Sequence, residues 1–181
     1  MSSGLPKEET VVTLGLLRQL LEPTREYCYS KIHRCVVTEA RLDYVGSITV
    51  DAALLRAAGI LPHTKIEVVN LSRMDAARIM TYVIEGPEGS GVICLNGAAA
   101  YHFAPGDLAI LMAYENTPVS RIPHSIHRVV QVNGEAGIVE GHTNEIIGIQ
   151  EFVTPSLEEL GRPENSRYAQ IYSEPEVKSK G

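Results

Sequence analysis

The sequence predicts a mainly β protein that folds as a small barrel with short helices. From Tyr29 onwards, short runs rich in β-branched and aromatic residues alternate with turn residues, as is typical of strands. Helical patterns between these runs are only one or two turns long. Many short strands with few helices favour a small β-barrel, and 181 residues are enough for one such domain with a sizeable core.

An amphipathic helix is predicted ahead of the strands, over residues 8–22. Its apolar residues recur at helical spacing, and Pro23 ends the pattern. The last residues, 155–181, are polar and contain three prolines, which favours a flexible tail. We therefore expect an N-terminal helical extension (1–26), a β-barrel domain (27–150) and a flexible C-terminal tail (151–181).

Seven strands and one short helix are predicted within the barrel domain. Asp51 can cap the helix, which spans Ala52 to Ala58, and Gly59 occupies the position where such helices end. The strand bounds follow from residue type and turn positions. They are 29–38, 45–50, 65–72, 78–85, 91–95, 107–114 and 127–132.

Composition and charge exclude several classes of protein. The formal net charge is -6 without a concentrated basic patch, which argues against a nucleic-acid surface. Cys28, Cys35 and Cys94 form no CxxC pair, so neither a disulfide framework nor a zinc site is indicated. No apolar run reaches the roughly 18 residues of a membrane-spanning helix, and the acidic N-terminus is unlike a secretory signal. We expect a soluble protein of the cytoplasm with no membrane or nucleic-acid partner.

Gly46 and Ser47 interrupt a strand-like stretch, RLDYVGSITVDAA (41–53). Glycine weakens a strand interior, so its presence there indicates a bulge or a close approach of two backbones. One interpretation is a plain turn. The other is that the Gly46–Ser47 peptide bond is itself the reactive group.

Charged and aromatic residues on two predicted strands could line a site. Strand alternation would put Lys31, His33 and Cys35 on one face. If that face is interior, the lysine needs a partner or a ligand, because burying an unpaired charge is costly. The alternative is that the face is solvated. Arg78 and Tyr82 share one face of a second strand and could equally be surface residues.

Two further motifs carry less information. NGAAAYH (96–102) could turn into a helix N-terminus, whose backbone N–H groups bind anions, or could be a packing turn. HSIH places His124 and His127 on opposite faces of a strand and offers no third ligand, so we expect no metal there. Signatures of nucleotide-binding loops and of the hydrolase nucleophile elbow are absent from the sequence.

Five stretches of the barrel domain form a set. They are SKIHR (30–34), DYVGSITVD (43–51), RIMTY (78–82), GSGVICLNGAAA (89–100) and PGDLAILMAY (105–114). In this order and spacing, over about residues 27–140, they resemble the pyruvoyl-dependent aspartate 1-decarboxylase family. The resemblance implies a double-psi β-barrel assembled as a homotetramer, with active sites between neighbouring subunits.

In this family a serine of the chain becomes a covalent pyruvoyl group, and the resemblance assigns that role to Ser47. Ser47 Oγ would attack the Gly46 carbonyl and convert the amide to an ester, after which elimination and hydrolysis leave the pyruvoyl group and two chain fragments. Thr81 would assist by hydrogen bonding near the Gly46 carbonyl. Gly46 would permit backbone torsions that other residues resist. Neither a metal nor pyridoxal phosphate is expected.

The resemblance also implies roles around the substrate. The pyruvoyl ketone would form a Schiff base with L-aspartate and accept electrons as carbon dioxide leaves, giving β-alanine, a precursor of pantothenate and coenzyme A. Tyr82 would be the proton donor. Lys31 and Arg78 would bind the substrate carboxylates, with no indication of which residue binds which group. The other expected substrate-binding residues are His33, Tyr44, Thr81, Asn96, Gly97, Ala98 and Ala99.

Three alternatives stay open at this level. The substrate could be a close aspartate analogue such as 3-methylaspartate, since one methyl group changes binding by only about 1 to 3 kcal/mol. Cleavage could be spontaneous or could need an accessory maturation protein. In a different class of function, the chain would be an uncleaved double-psi barrel that serves as a binding or regulatory subunit.

Overall fold

The computed structural model describes residues 15–17, 21–137 and 144–162, and within them the fold is mainly β. Nine strands form one sheet in these residues. They are β1 (Thr24–Val36), β2 (Glu39–Arg41), β3 (Ser47–Asp51), β4 (Lys65–Asn70), β5 (Arg78–Gly86), β6 (Ile93–Asn96), β7 (Leu108–Pro118), β8 (Ile126–Val132) and β9 (Ile146–Val153). Besides the helical residues 15–17, the helical elements are α1 (Ala52–Ala58) and the 3₁₀ turns η1 (Gly97–Tyr101) and η2 (Val119–Arg121).

The sheet mixes parallel and antiparallel pairs, in the order β2-β6-β3-β5-β4-β7-β1-β8-β9. Strands β1 and β8, β2 and β6, and β3 and β5 run parallel. The other neighbours are antiparallel. The predicted mainly β class is confirmed, and the single sheet is consistent with the predicted barrel.

One hydrophobic core lies behind this sheet. Its fully buried aliphatic side chains come from seven strands and α1, and include Ile32, Ile48, Leu54, Ile66, Val83, Ile93, Leu95, Leu111 and Val130. Each such side chain contributes about 1.5 to 3 kcal/mol when it is buried. The core therefore holds the strands whose ends carry the site residues.

The seven predicted strands correspond to β1 and to β3 through β8. The predicted helix and its caps are also confirmed: Asp51 Oδ1 accepts the Ala53 N–H at 2.7 Å, and Gly59 ends α1 with a φ of 67°. The Asp51 carboxylate further accepts the N–H groups of Gly89 and Gly91, at 3.0 and 2.6 Å. It thereby joins the start of α1 to the loop before β6.

The expected common face of Lys31, His33 and Cys35 is wrong, because β1 contains a bulge. The register with β7 shifts between His33 and Cys35, and Arg34 has a φ of 64° in the left-handed region. An extra residue at this point reverses the alternation that follows it. Cys35 is consequently buried in the core with Ile32, whereas Lys31 and His33 lie on the partly exposed face.

Strands β2 and β9 were not predicted, and β1 begins at Thr24, earlier than expected. Strand β3 begins at Ser47, so Val45 and Gly46 lie in the bend before it. Of the predicted helix over 8–22, Gly15 to Leu17 are helical, and Leu21 lies in a turn. Residues 8–14 and 18–20 of that prediction, and the tail after 162, lie outside the described residues. Within the described part of the chain, no helix is long and apolar enough to cross a membrane.

Candidate active site

A cavity of about 530 Å³ opens where β3 begins. The parallel register of β3 with β5 starts at Ile48 and Val83, so residues 78–82 of β5 continue without a β3 partner. The volume lies in the range of small-molecule sites. Seven expected site residues line the cavity: Gly46, Ser47, Thr81, Tyr82, Asn96, Ala98 and Ala99. Val45, Ile79, Met80 and His102 also contribute to its lining.

Ser47 is the first residue of β3 and is only 1% exposed. Its φ of 158° is close to extended backbone. Gly46 has no positive φ, and a Cβ built on it would meet no heavy atom within 4 Å. The expected use of glycine's extra torsional freedom at Gly46 is therefore not seen in this conformation.

Gly97 lies next to the Gly46–Ser47 peptide bond, and only glycine fits at this position. Its φ is 59°, and a Cβ there would lie 2.9 Å from Gly46 Cα and 3.0 Å from the carbonyl oxygen of Tyr44. Real side chains do not tolerate so close an approach to backbone, and left-handed torsions add strain for other residues. The absent side chain of Gly97 lets the bend before Ser47 pass over the start of η1.

Asn96 holds the Ser47 hydroxyl. Ser47 and Asn96 are directly opposite each other in the antiparallel pair of β3 and β6, and Asn96 is also 1% exposed. Asn96 Nδ2 donates to Ser47 Oγ at 3.0 Å and to Thr49 Oγ1 at 3.0 Å. Its Oδ1 accepts from the Cys94 thiol at 3.4 Å. The nucleophile candidate is thus fixed by a carboxamide whose own donors and acceptor are occupied.

Thr81 and Tyr82 reach the cavity from the part of β5 beyond the start of β3. Thr81 is half-buried, and Tyr82 is 40% exposed with its ring centroid 6.4 Å from that of His63. The expected alternation of Arg78 and Tyr82 on one face and Thr81 on the other agrees with the burial along β5. The site therefore receives a half-buried hydroxyl and an exposed phenol from successive residues.

Arg78 is held by a buried acid that the sequence did not reveal. Glu67 on β4 is 8% exposed, and its Oε1 lies 3.1 Å from Arg78 Nη1. The Tyr114 hydroxyl donates to Glu67 Oε2 at 2.8 Å. Burial, with the Glu67 carboxylate beside it, raises the pKa of Tyr114 to about 12. The Arg78 side chain remains 62% exposed, so it projects outwards from this pair.

Lys31 and His33 do not line the cavity of the same chain. Strand β1 is three positions from β5 in the sheet, which at about 4.8 Å per strand is on the order of 14 Å. His33 Nδ1 is buried and has no hydrogen-bond partner in the described residues. Burial, then the charges of Lys31 and Arg34, lower the pKa of His33.

Tyr44 lines a second cavity, of about 360 Å³, rather than the first. This space lies beside β2 and β6, and it is also bounded by Thr49, Cys94 and Asn96. Tyr44 is 50% exposed. Of the expected site residues, Asn96 borders both cavities.

The described residues contain no group of three or more His, Cys, Asp or Glu side chains that could hold a metal ion. His127 Nδ1 lies 2.7 Å from the backbone oxygen of Cys28. The ring is therefore engaged with the backbone of β1.

Sequence reasoning missed three polar residues that contact site residues: Thr49, Glu67 and Cys94. Thr49 and Cys94 are each two residues from an expected site residue on the same strand, so the strand period could have identified them. Glu67 is a lone acid within an apolar strand, KIEVVN, and such an acid is seldom buried without a partner. Its partner could not be identified without the register of β4 and β5.

Comparison with known proteins gives a consistent result. The family model described as aspartate decarboxylase matches residues 24–139. The aspartate 1-decarboxylase of Pelotomaculum thermopropionicum is 50% identical over 119 residues, which are 66% of this chain and 89% of that protein. Aspartate 1-decarboxylase 2 of Gloeobacter violaceus is 49% identical over 118 residues (65% and 93%). The aspartate 1-decarboxylase of Myxococcus xanthus is 46% identical over 121 residues (67% and 92%).

Proposed function

We propose that this chain, which belongs to the aspartate decarboxylase family, converts L-aspartate into β-alanine and carbon dioxide. The observation that carries the proposal is the placement of Ser47. Its hydroxyl is buried at the wall of a cavity of small-molecule size, is oriented by Asn96, and follows a glycine in an exposed bend. A serine in a purely structural strand start needs no such cavity beside it.

The chain must first cut itself between Gly46 and Ser47. Ser47 Oγ forms a bond to the Gly46 carbonyl carbon, the C–N bond breaks, and the hydroxyl proton passes to the Ser47 nitrogen. Loss of the Ser47 Cα proton then forms a Cα=Cβ double bond and breaks the Cβ–Oγ bond, which releases the Gly46 carboxylate. Water replaces the nitrogen of the resulting dehydroalanine and ammonia leaves. The hydroxyl of Thr81 is half-buried and lines the same cavity. We propose that it assists the attack on the Gly46 carbonyl by hydrogen bonding.

The residues around Ser47 fit a pyruvoyl group at this position. The cavity meets Ser47 directly, and Ala98 and Ala99 offer small side chains on the η1 side. The ketone of such a group takes up the substrate amine covalently and withdraws electrons as carbon dioxide departs. Tyr82, at the same cavity, is the proposed general acid that returns a proton to the substrate carbon.

Arg78 and Lys31 are the proposed partners of the substrate carboxylates. The exposed guanidinium of Arg78 suits bidentate recognition of a carboxylate. Lys31 does not line the cavity of its own chain, which supports a site shared between subunits. Exposed apolar side chains at the cavity rim, Val45 at 78% and Met80 at 52%, also suit coverage by another copy. We propose a homotetramer, with Lys31, His33 and Tyr44 acting at a neighbouring copy's cavity.

A reducing, cytoplasmic location is the proposed setting, because Cys28, Cys35 and Cys94 are all free thiols. Whether the self-cleavage needs an accessory protein is tested by following the purified chain alone.

Denaturing gel electrophoresis together with intact-mass measurement tests the proposal. We expect fragments 1–46 and 47–181, the larger one without a free amino terminus, and borohydride with labelled aspartate should label that fragment. Ser47→Ala should abolish both cleavage and turnover. A wild-type chain that stays full length yet produces β-alanine would overturn the pyruvoyl mechanism. A chain that neither cleaves nor turns over, even with a cell extract that supplies accessory proteins, would instead favour a binding subunit.

Substrate choice is tested with a panel of acidic amino acids. We expect the highest kcat/KM for L-aspartate, with 3-methylaspartate and glutamate poorer because an added carbon displaces a carboxylate or the reacting carbon in the cavity. A higher kcat/KM for 3-methylaspartate would reassign the substrate without changing the reaction class.

A further inference from the structure

Four polar side chains form a square across β3 and β6. Ser47 is paired with Asn96, and Thr49 with Cys94, in the antiparallel register. Side chains two residues apart on a strand point to the same side, so all four lie on one face. Two of them, Thr49 and Cys94, have no role in the reaction proposed above.

Asn96 is hydrogen-bonded to the other three residues of the square, and its orientation depends on Thr49 and Cys94. A carboxamide can rotate by half a turn and exchange its oxygen and nitrogen. The Cys94 thiol donates to Oδ1 at 3.4 Å, and Thr49 Oγ1 accepts from Nδ2 at 3.0 Å. Burial raises the pKa of Cys94, which keeps the thiol protonated and able to donate. The thiol contact favours this orientation, because sulfur would be a weak acceptor for an N–H after a half turn. The Thr49 contact adds a hydrogen bond to it, and the second N–H of Nδ2 then donates to Ser47 Oγ at 3.0 Å.

We propose that Thr49 and Cys94 are positioning residues of the self-cleavage, which hold Asn96 so that it donates to Ser47 Oγ while the Cβ–Oγ bond breaks. The proposal rests on the proposed function, because it concerns the maturation of Ser47.

The hydrogen bond from Asn96 acts on the elimination rather than on the first attack. A donor on Oγ withdraws electron density from the attacking oxygen, so it gives no advantage when the Oγ–C bond forms. When the Cβ–Oγ bond breaks, the electron pair stays on Oγ as part of the Gly46 carboxylate, and the Cα proton passes to solvent. A fixed donor placed where negative charge develops stabilises that transition state. Asn96 is such a donor only while Thr49 and Cys94 hold it in place.

The test follows self-cleavage of freshly synthesised full-length chain by intact mass, with samples treated with hydroxylamine under denaturing conditions. Hydroxylamine cuts the ester intermediate and leaves a fragment 47–181 that begins with serine. We expect Thr49→Val and Cys94→Ala each to slow pyruvoyl formation about tenfold, the loss expected for one hydrogen bond. The hydroxylamine-sensitive fraction should rise in both variants.

Conservative variants separate positioning from packing. Thr49→Ser and Cys94→Ser keep an acceptor and a donor, and both should cleave within about threefold of wild type. Cys28→Ala is the matched control, because that thiol lies on β1 and contacts the Ser30 backbone oxygen instead. Thermal unfolding of each chain before cleavage checks that the folds are intact.

Wild-type cleavage rates in both Thr49→Val and Cys94→Ala would overturn the proposal. Slow cleavage without a rise in the ester would also overturn it, since the effect would then lie on the attack. A wild-type chain that never cleaves, even with a cell extract that supplies accessory proteins, would overturn the proposed function instead. If one variant does not fold, the other still decides between these results.

Discussion

The two sides of the cavity are built in opposite ways. On β3 and β6, Ser47 and Asn96 are 1% exposed and hydrogen-bonded to each other within the chain. On β5, Tyr82 is 40% exposed and the Arg78 side chain 62% exposed. The difference fits the proposals made above. Ser47 and its hydrogen-bond partner, proposed for self-cleavage, are buried within one chain, whereas the groups proposed for substrate face outwards, where a second copy could complete them. Variants of the two sides should therefore separate cleavage from turnover.

Of the substitutions considered, Tyr82→Phe should have the largest effect, and it should lower turnover without changing self-cleavage. Removing a general acid costs about 10² to 10⁴ in rate, so kcat should fall by that factor. Self-cleavage should proceed as in wild type, because Ser47 Oγ and Asn96 are hydrogen-bonded to each other and Asn96 to Thr49, with no hydrogen bond from the Tyr82 hydroxyl to either among the described residues. Product formation and intact mass, measured on the same sample, check this separation. Equal loss of cleavage and turnover would contradict it.

Gly97→Ala should instead act on cleavage. The new Cβ would approach Gly46 Cα at 2.9 Å, and the left-handed torsion would cost on the order of 1 to 3 kcal/mol. We expect self-cleavage to slow by about 10- to 100-fold as the bend shifts away from Ser47.

Gly89→Ala is the matched control for Gly97→Ala. Gly89 also has a positive φ, of 74°, but a Cβ there would meet no heavy atom within 4 Å. The control variant should lose stability by a similar torsional cost while cleaving at the wild-type rate. Impaired cleavage in both variants would show that torsional strain, rather than the clash with the bend, is responsible.

Glu67→Gln should change substrate affinity more than either kcat or cleavage. Without the carboxylate charge, Arg78 loses the partner that fixes its exposed end, and we expect KM for aspartate to rise about three- to tenfold, as for the loss of one charge-assisted contact. Steady-state kinetics on fully cleaved protein measure this. Glu151→Gln is the control, since it breaks the Arg128–Glu151 pair on β8 and β9. An unchanged KM would separate Glu67 from substrate binding.

The smallest expected effect is the pH dependence that Tyr114 introduces. Its pKa in the folded chain is about 12, above the value near 10 of an unfolded tyrosine. Between these values the unfolded chain loses the proton first, so stability present below about pH 10 declines as the pH rises towards 12. Urea unfolding across this range should show a shallower decline for Tyr114→Phe. Tyr101→Phe, at a residue 73% exposed, should behave as wild type.

The sequence predicted local features well and long-range ones poorly. The helix from Ala52, its cap at Asp51 and the strand residues around Thr81 follow from neighbouring residues, and they are confirmed as secondary structure. The bulge at Arg34 could not be predicted, because it depends on how β1 matches β7. For the same reason, the contact between Glu67 and Arg78 required knowledge of strand register.

Seven residues could be placed around one cavity only because their stretches were recognised as a set, since no single stretch indicates its partners. Asn96 and Ser47 are far apart in sequence and meet through the pairing of β6 with β3. Lys31 shows the limit of this approach. Its proposed role involves a second copy of the chain, and the sequence of one chain does not reveal which residues of two copies lie close together.

The location of β1 determines what a cut after Gly46 would do to the molecule. β1 is paired on one edge with β7 and on the other with β8, and the edge strand β2 is paired on one side with β6. All three partner strands belong to the larger fragment. The severed segment would stay clamped as an internal strand, so the native particle would keep its size and shape. Its melting would nevertheless become a dissociation, with a midpoint that falls on dilution, as for any complex of two separate polypeptides.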